Sequence, residues 1–435
     1  MRSYLITKIH RWGQIVPVPD EKLMLMLNSK LSYKLPGIEF MPNPLYGIVR
    51  LYKKEKGMFP WGLLYLVREI FDEWVKYSGE QYSIDYTYNI PHEIKFIDSS
   101  LRDYQKEAIV KLYQNDGGIL NLPTASGKTR IALEYMTQKK VRTLIIVPTI
   151  EIQKQWKSLT PNYADVRTYQ GINNYKDLEQ YQLIILDEVH IVAAKKLYNI
   201  AMRCCDAQLI GMSASCFRTD GNEMKIWAAI GKIIFSISRK ELIDKGYLSD
   251  AKVYYHTIKD DEYKYWENYQ EAYEGYIVNN IDRNAKIVDI AIKEYSEKRN
   301  VLILCNVIKH MDNLYSSLIG RGVNGILYVN GTLKKKERDN IFCEINKLKI
   351  GQGAIIIAST IYDLGVNFET LDCLILAAGG QSAVKLVQRV GRILRIYENK
   401  QIAIIHDFQD SCRWLKKHSK QRRELLSQDF TIYDE

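Results

Sequence analysis

Short, mostly aliphatic runs of four or five residues recur along this chain, and each stops at a cluster of small or polar residues. Residues 119–122 lead into PTASGKT, 144–147 into PT, 183–186 into DEVH and 209–212 into SAS. After a gap, 301–305 lead into NVIKH, 326–329 into NGT, 354–358 into ST and 373–377 into AGG. Runs of that length without alternation fit strands buried on both faces, hence parallel sheets covered by helices. Segments with helical spacing, such as 128–136 and 311–318, lie between them. Strand and helix in alternation predict an α/β chain, and the gap divides it into two tandem, doubly wound lobes. Open parallel sheets present their binding groups at the carboxyl ends of the strands, where every one of these clusters falls.

The join between the lobes is expected near residues 236–251, where a helical stretch meets the turn signal Lys245-Gly246-Tyr247. Residues 1–95 read differently, with Pro17, Pro19, Pro36, Pro42, Pro44 and Pro60, short strand-like pieces and an amphipathic helix over 63–77. They are predicted to form a small α+β domain, ahead of a first lobe over 96–240 and a second over 241–435. The second lobe ends in a basic helix over 413–426, read as a solvated face.

Composition narrows the partners. Hydrophobic residues at 46% and charged residues at 26% exclude a disordered chain. Sixty-one Lys and Arg against 51 Asp and Glu give a net charge of +10, which suits an anionic partner without requiring one. The seven cysteines are odd in number, form no Cys-x-x-Cys and sit mostly in apolar runs. That favours packed thiols over a metal site or a disulfide. The start of the chain lacks a signal-peptide core, and no window approaches the ~18 apolar residues of a membrane span. The expected setting is the cytoplasm, away from membranes, with the chain a monomer.

The strongest chemical signal is Pro123-Thr124-Ala125-Ser126-Gly127-Lys128-Thr129, between an expected strand and an expected helix. Phosphates need backbone N–H groups in a tight turn with a helix amino terminus behind them, and small residues at 125–127 permit that approach. Lys128 would pair with the β- and γ-phosphates, and the Thr129 hydroxyl would hold Mg2+. Leu122 stands where the strict pattern has its first Gly, and Ala125 replaces a Gly often found within the loop. Asp187 and Glu188 end a second expected strand on the same sheet edge. One carboxylate can hold the Mg2+ shell while its neighbour orients and deprotonates the attacking water. From the other lobe, QRVGRILR places Gln388, Arg392 and Arg395 on one helical face, where an arginine finger is worth roughly 10³ to 10⁵ in rate.

In order along the chain, these stretches resemble the superfamily 2 helicases, with two RecA-like lobes, over residues 100–410. LRDYQ at 101–105 resembles the adenine-recognition motif, which implies Arg102 and Gln105 at the base. PTASGKT, IVPT at 146–149, TYQG at 168–171, DEVH at 187–190 and SAS at 213–215 resemble the motifs of the first lobe. Residues 305–310, 358–367 and 388–395 resemble those of the second. The resemblance implies ATP held by residues 123–129 and Gly365, with Mg2+ on Thr129 and Asp187. It also implies single-stranded DNA gripped through its phosphates near Thr149, Thr168, Gln170, Thr332 and Thr360. Ser215 stands where Thr is usual, and Leu364 and Asn367 where Glu and Asp often stand.

Phe217-Arg218-Thr219-Asp220-Gly221, QRVGRILR and the NLPT that opens the phosphate loop are similar to the XPB and UvsW branch, with UvsW-type phage helicases most similar. Gly37-Ile38-Glu39-Phe40, Tyr46-Gly47, Arg50-Leu51 and Pro60-Trp61-Gly62-Leu63 resemble that branch's small DNA-binding module, without its Trp-Asp-Gly stretch. Arg50, Lys53, Lys54 and Lys56 beside Tyr52, Phe59 and Trp61 suit a nucleic-acid surface, and equally a solvated hairpin over a core Trp. The implied activity is ATP-dependent remodelling of branched DNA (forks, displacement loops, four-way junctions) in recombination, repair and replication. An XPB-like duplex translocase, a generic 3′–5′ DNA helicase and a DNA-binding scaffold are the alternatives; the last would need a damaged phosphate loop or acidic pair, and both are intact in the sequence.

Overall fold

A computed structural model describes residues 2–38, 43–87, 91, 93–172, 176–189, 194–203, 206–214, 221–258, 266–359, 370–380, 390–391, 393–395, 397 and 402–435. Two compact units emerge: Met1–Leu122 with Gly127–Ile237, and Pro123–Ser126 with Ser238–Glu435.

The first unit opens with a small α+β domain. Strands β1 (Ser3–Ile9), β2 (Trp12–Val16), β3 (Ser32–Lys34), β4 (Ile48–Arg50), β5 (Met58–Pro60) and β6 (Gln81–Asp85) accompany helices α1 (Glu21–Lys30) and α2 (Leu64–Ser78). The main sheet runs β5-β2-β1-β6, and β3 pairs with β4 alone. Asp20 caps α1 by accepting the Leu23 N–H, and α2 stops at Gly79, whose left-handed φ of 74° glycine adopts without strain. The faces of both helices close a core of Leu23, Leu27, Val67, Ile70, Phe71 and Trp74 over Tyr4, Ile6 and Ile15.

The domain is docked on the lobe that follows it. The Trp61 indole N–H donates to Asp116 at 3.1 Å, and buried Arg11 donates to the Ala229 carbonyl at 2.8 Å. A Cβ on Gly62 would lie 2.2 Å from the Trp227 carbonyl oxygen, so only glycine lets the two backbones meet.

The lobe itself has a six-stranded, wholly parallel sheet of β7 (Gly117–Asn121), β8 (Thr143–Val147), β9 (Ala164–Thr168), β10 (Leu183–Asp187), β11 (Gln208–Ser213) and β12 (Ile233–Ser236), in the order β12-β7-β11-β10-β8-β9. Helices α3 (Asp103–Tyr113), α4 (Lys128–Lys139), α5 (Ile150–Leu159), α6 (Ala194–Ala201) and α7 (Glu223–Ile230) accompany it.

The second unit carries a seven-stranded sheet of β13 (Ala251–Thr257), β14 (Asn300–Leu304), β15 (Leu327–Val329), β16 (Ala354–Ala358), β17 (Cys373–Ile375), β18 (Ala403–Gln409) and β19 (Thr431–Asp434). Its order is β15-β16-β14-β17-β18-β13-β19, again parallel throughout. Helices α8 (Arg239–Asp244), α9 (Tyr269–Tyr273), α10 (Ile281–Ser296), α11 (Ile308–Gly320), α12 (Lys335–Lys347) and α13 (Arg413–Ser427) join it. The architecture is thus two RecA-like lobes preceded by a small α+β domain, as the pattern of runs predicts. Among the described residues no helix is long and apolar enough to cross a membrane.

The terminal helix α13 departs from the expected solvated face. Arg422 is buried and donates through Nε and Nη2 to Asp407 at 3.0–3.1 Å, with Asp410 at 3.5 Å. Arg283 of α10 reaches the same Asp410 at 3.2 Å, so two arginines and two aspartates share one interior site. Arg423 pairs with Asp434 on β19. Basic side chains that read as surface in the sequence are in part the fastening of the lobe's last strands.

Candidate active site

Strand β7 delivers the phosphate-loop sequence to the carboxyl edge of the first sheet. Leu122 is buried, and its N–H donates to the Ser213 carbonyl at 2.8 Å, which ties the loop's start to the end of β11. Ala125 (φ 70°) and Gly127 (φ 80°) are both left-handed and flank Ser126, after which α4 begins at Lys128. Alternation of hand turns successive N–H groups toward one side and makes an anion-binding concavity. Glycine bears that conformation without strain; Ala125 carries about 1–2 kcal/mol of it.

Gly127 is confined from a second direction. A Cβ there would sit 2.4 Å from the Gln105 amide nitrogen. Gln105 is buried, and its amide oxygen accepts the Arg102 N–H at 3.0 Å, which caps α3. The Arg102 guanidinium donates to the Tyr104 hydroxyl at 3.3 Å. Arg130 on α4 grips Asp98 through two bonds of 2.6 and 2.8 Å. Hydrogen bonds from Ser100 and Arg130 hold the Asp98 carboxyl down at about 2. The segment leading into α3 is thereby anchored to the helix that carries Lys128 and Thr129.

The acidic pair ends β10, two places along the sheet from β7. Lys128 Nζ lies 2.8 Å from Glu188 Oε1, and Glu188 adopts a left-handed φ of 52°. A non-glycine residue in that region signals a backbone held by its surroundings. Asp187 is buried. One of its oxygens accepts the Glu188 N–H and the other the Trp156 indole N–H, each at 3.1 Å, while its carbonyl accepts the Tyr169 hydroxyl at 3.0 Å. Burial, then the charge of Glu188, pushes the Asp187 carboxyl up to about 6, against the opposing pull of Lys128 and the Trp156 bond. The sequence places Lys128, Asp187 and Glu188 at one edge, and the structure brings them together. Trp156 escapes sequence reasoning, because a lone Trp on an amphipathic helix has the same signature as a packing residue.

Of the expected DNA contacts, Thr149 and Thr168 sit at the carboxyl ends of neighbouring strands, with Val147 opposite Thr168. Thr149 caps α5 by accepting the Ile152 N–H at 3.3 Å; Thr168 accepts the Gly171 N–H at 3.1 Å, and Gln170 is exposed beside it. In the second lobe Thr332 follows β15 and donates to Asn330 at 2.8 Å. Thr360, Gly365, Gln388 and Arg392 lie outside the described residues, as do Ser215, Leu364 and Asn367, whereas Arg395 is described and half-buried.

In the small domain Arg50, Lys53 and Lys54 are exposed, but their aromatic neighbours Tyr52, Phe59 and Trp61 are interior. The hairpin over a core Trp describes those aromatics. Lys53 lies instead over the Trp12 ring, 3.6 Å from its centroid.

Comparison with known proteins follows the same map. Residues 282–397 match the helicase conserved C-terminal domain, and 98–170 match the res subunit of type III restriction enzymes. The chain is 26% identical to DNA 3'-5' translocase XPB2 of Sulfurisphaera tokodaii, across 70% of this chain and 80% of that protein. It is 24% identical to the ATP-dependent DNA helicase uvsW of Enterobacteria phage T4, across 84% and 77%. A fragment of a putative HsdR subunit of a type I restriction enzyme from Vibrio vulnificus shares the fold, with a TM-score of 0.60 and 19% identity over 90% of this chain and 77% of that one.

Proposed function

The chain is a superfamily 2 helicase of the XPB and UvsW branch, an ATP-dependent DNA enzyme, and from that premise we propose that it remodels branched DNA by branch migration. Forks, displacement loops and four-way junctions are its substrates in this reading, and replication, recombination and repair its setting. It works as a monomer in the cytoplasm, the host's if the gene is a phage's. The supporting likeness spans most of the chain and of a relative named as a phage ATP-dependent DNA helicase.

The observation that carries the motor reading is the Lys128–Glu188 ion pair beside buried Asp187. Without nucleotide, the ammonium neutralises the carboxylate that would activate water. When the β- and γ-phosphates enter the concavity of residues 123–127, Lys128 turns to them and releases Glu188 to orient and deprotonate that water. The donor set suits Mg2+, because the Thr129 hydroxyl and the Asp187 carboxylate are both hard oxygen ligands. The metal supplies neutralisation of charge on the phosphate oxygens. Arg102 and Gln105 flank the base, and Gly365 belongs to the nucleotide-binding set by the resemblance of residues 358–367 alone. Arg392 and Arg395 supply cations to the transition state in this reading, and the neutral Gln388 a hydrogen bond. Thr149, Thr168, Gln170, Thr332 and Thr360 hold the phosphates of one strand; Arg50, Lys53 and Lys54 attract the duplex arm through charge alone.

Unwinding of a labelled four-way junction beside a 3′-tailed duplex tests the proposal, with Lys128→Ala as the blank. Faster ATP-dependent resolution of the junction supports branch migration. Activity on the tailed duplex alone reduces the chain to a generic helicase, and activity of the variant overturns the phosphate-loop assignment. The translocase relative favours a second reading, movement along duplex DNA without strand exchange, which displacement of a triplex-forming third strand would reveal.

A further inference from the structure

Three side chains with no part in the proposed motor meet in the core of the second lobe. Cys373 opens β17, and the register of β17 with β18 sets Ile375 opposite His406. Residues two apart on a strand share a face, so the Cys373 thiol and the His406 imidazole point to the same side. That side is covered by α10, whose Ile287, Val288 and Ala291 pack on Cys373, Ile375, Ile404 and Phe408. Glu294 reaches the pair from the same helix. All three residues are buried, and one donor atom of each lies within 4.8 Å of the other two.

Polar atoms crowd the cluster without hydrogen-bonding one another: among the described residues Glu294 Oε2, His406 Nε2 and His256 Nδ1 are buried without a hydrogen-bond partner. Glu294 turns one oxygen, Oε2, to Arg299 at 2.7 Å and the other, Oε1, to His406 Nε2 at 3.4 Å. His406 Nδ1 lies 2.8 Å from His256 Nε2, and His256 Nδ1 lies 3.4 Å from the Glu435 carboxylate. Two ring nitrogens this close share a single proton, and when His406 Nδ1 carries it, His406 Nε2 keeps its lone pair. The lone pair on His406 Nε2 then points at Glu294 and Cys373, and among the described residues this buried nitrogen has no hydrogen-bond partner. A lone pair facing a carboxylate in an apolar core needs a cation between them.

Distance distinguishes the two cations available. A proton shared as a charge-assisted bond would draw nitrogen and oxygen to ~2.7–2.9 Å. Two ligands bound at ~2.0–2.1 Å to one tetrahedral ion stand ~3.3 Å apart, close to the 3.4 Å observed. We propose that Glu294 Oε1, Cys373 Sγ and His406 Nε2 form a structural site for a zinc-class dication. One oxygen, one sulfur and one nitrogen donor select a borderline metal over Mg2+, and water takes the fourth position. On binding, the Cys373 thiol gives its proton to solvent and becomes a thiolate. Thiolate and carboxylate together balance the dication. His256 plays the part usual behind a metal-bound imidazole, fixing its tautomer through the other ring nitrogen. Cys373 reads in the sequence as a packed thiol because its two partners lie 79 residues before it and 33 after it (373 − 294; 406 − 373).

Titration of the chelator-stripped full chain with Co2+, without nucleotide, tests the site. One equivalent of Co2+ should produce thiolate-to-cobalt absorption in the near ultraviolet, which Zn2+ abolishes by displacement. Cys373→Ser should remove the band and Glu294→Gln should weaken Co2+ binding at least tenfold, both with an unchanged far-ultraviolet circular dichroism spectrum. A wild-type chain without the band overturns the proposal whatever the variants do, since it leaves His406 and Glu294 as a proton-sharing pair. A band that persists in Cys373→Ser overturns it too, because another thiol then holds the metal.

Discussion

Trp156 donates a hydrogen bond to the carboxylate expected to face Mg2+ and holds its orientation. Its indole N–H is a donor to a buried charge, a bond worth about 1.5–3 kcal/mol, and Trp156→Phe removes it while keeping an aromatic ring. The expected outcome is a roughly tenfold higher Mg2+ requirement in the ATPase assay, with circular dichroism unchanged. Asp187 also carries a stability consequence. Its folded-state value of about 6 lies above the usual 3.8, so its contribution to stability is fully present below pH ~4 and is lost as pH rises through ~6. Asp187→Asn, neutral at every pH, should therefore melt higher than the wild type at pH 8, with the difference fading toward pH 4. Lys128, Asp187 and Glu188 are legible in the sequence because strand ends bring short local signatures to one edge. Trp156 and the Asp98–Arg130 pair are not, because their partners lie 31 and 32 residues away.

At the scale of elements, the sequence shows strands best where both faces are apolar. Residues 183–186 and 354–358 read as strands, and β10 and β16 occupy them with every residue buried. Strand β9 has a single buried residue, Val166, at the sheet's edge, and β18 hides His406 and Asp407 among its aliphatics. Neither presents an uninterrupted run. The same buried polarity makes α13 a fastening element. Removing Arg422 strands the Asp407 carboxylate in the interior and leaves Asp410 to Arg283 alone, so Arg422→Met should destabilise the protein by about 3–5 kcal/mol, measured by urea unfolding. In the phosphate loop, Ala125→Gly exchanges left-handed strain of about 1–2 kcal/mol for a somewhat smaller entropic cost. It should raise the melting temperature slightly and leave ATP turnover close to wild type.

Across the whole chain, Trp61, Gly62 and Arg11 make the small domain and the first lobe one compact unit, although the sequence presents them as separate compositions. Trp61→Ala opens a cavity at that junction and leaves Asp116 with Lys8 but without the indole N–H. Amide exchange in β1, β2 and β6 should accelerate while β10 and β11 keep their protection. The net charge of +10 belongs to the same scale, and affinity for DNA should fall linearly on a log–log plot against salt. Strand β18 bears on how the chain reaches its fold at all. His406 faces α10 and Glu294, and its neighbour Asp407 faces α13 and Arg422. Sliding β18 by one residue would set Asp407 against Glu294 and deprive Arg422 of its acid, so the error carries a double electrostatic penalty. Charge on opposite faces of one strand thus proofreads the second sheet, because the two faces of β18 cannot exchange their partners without that penalty.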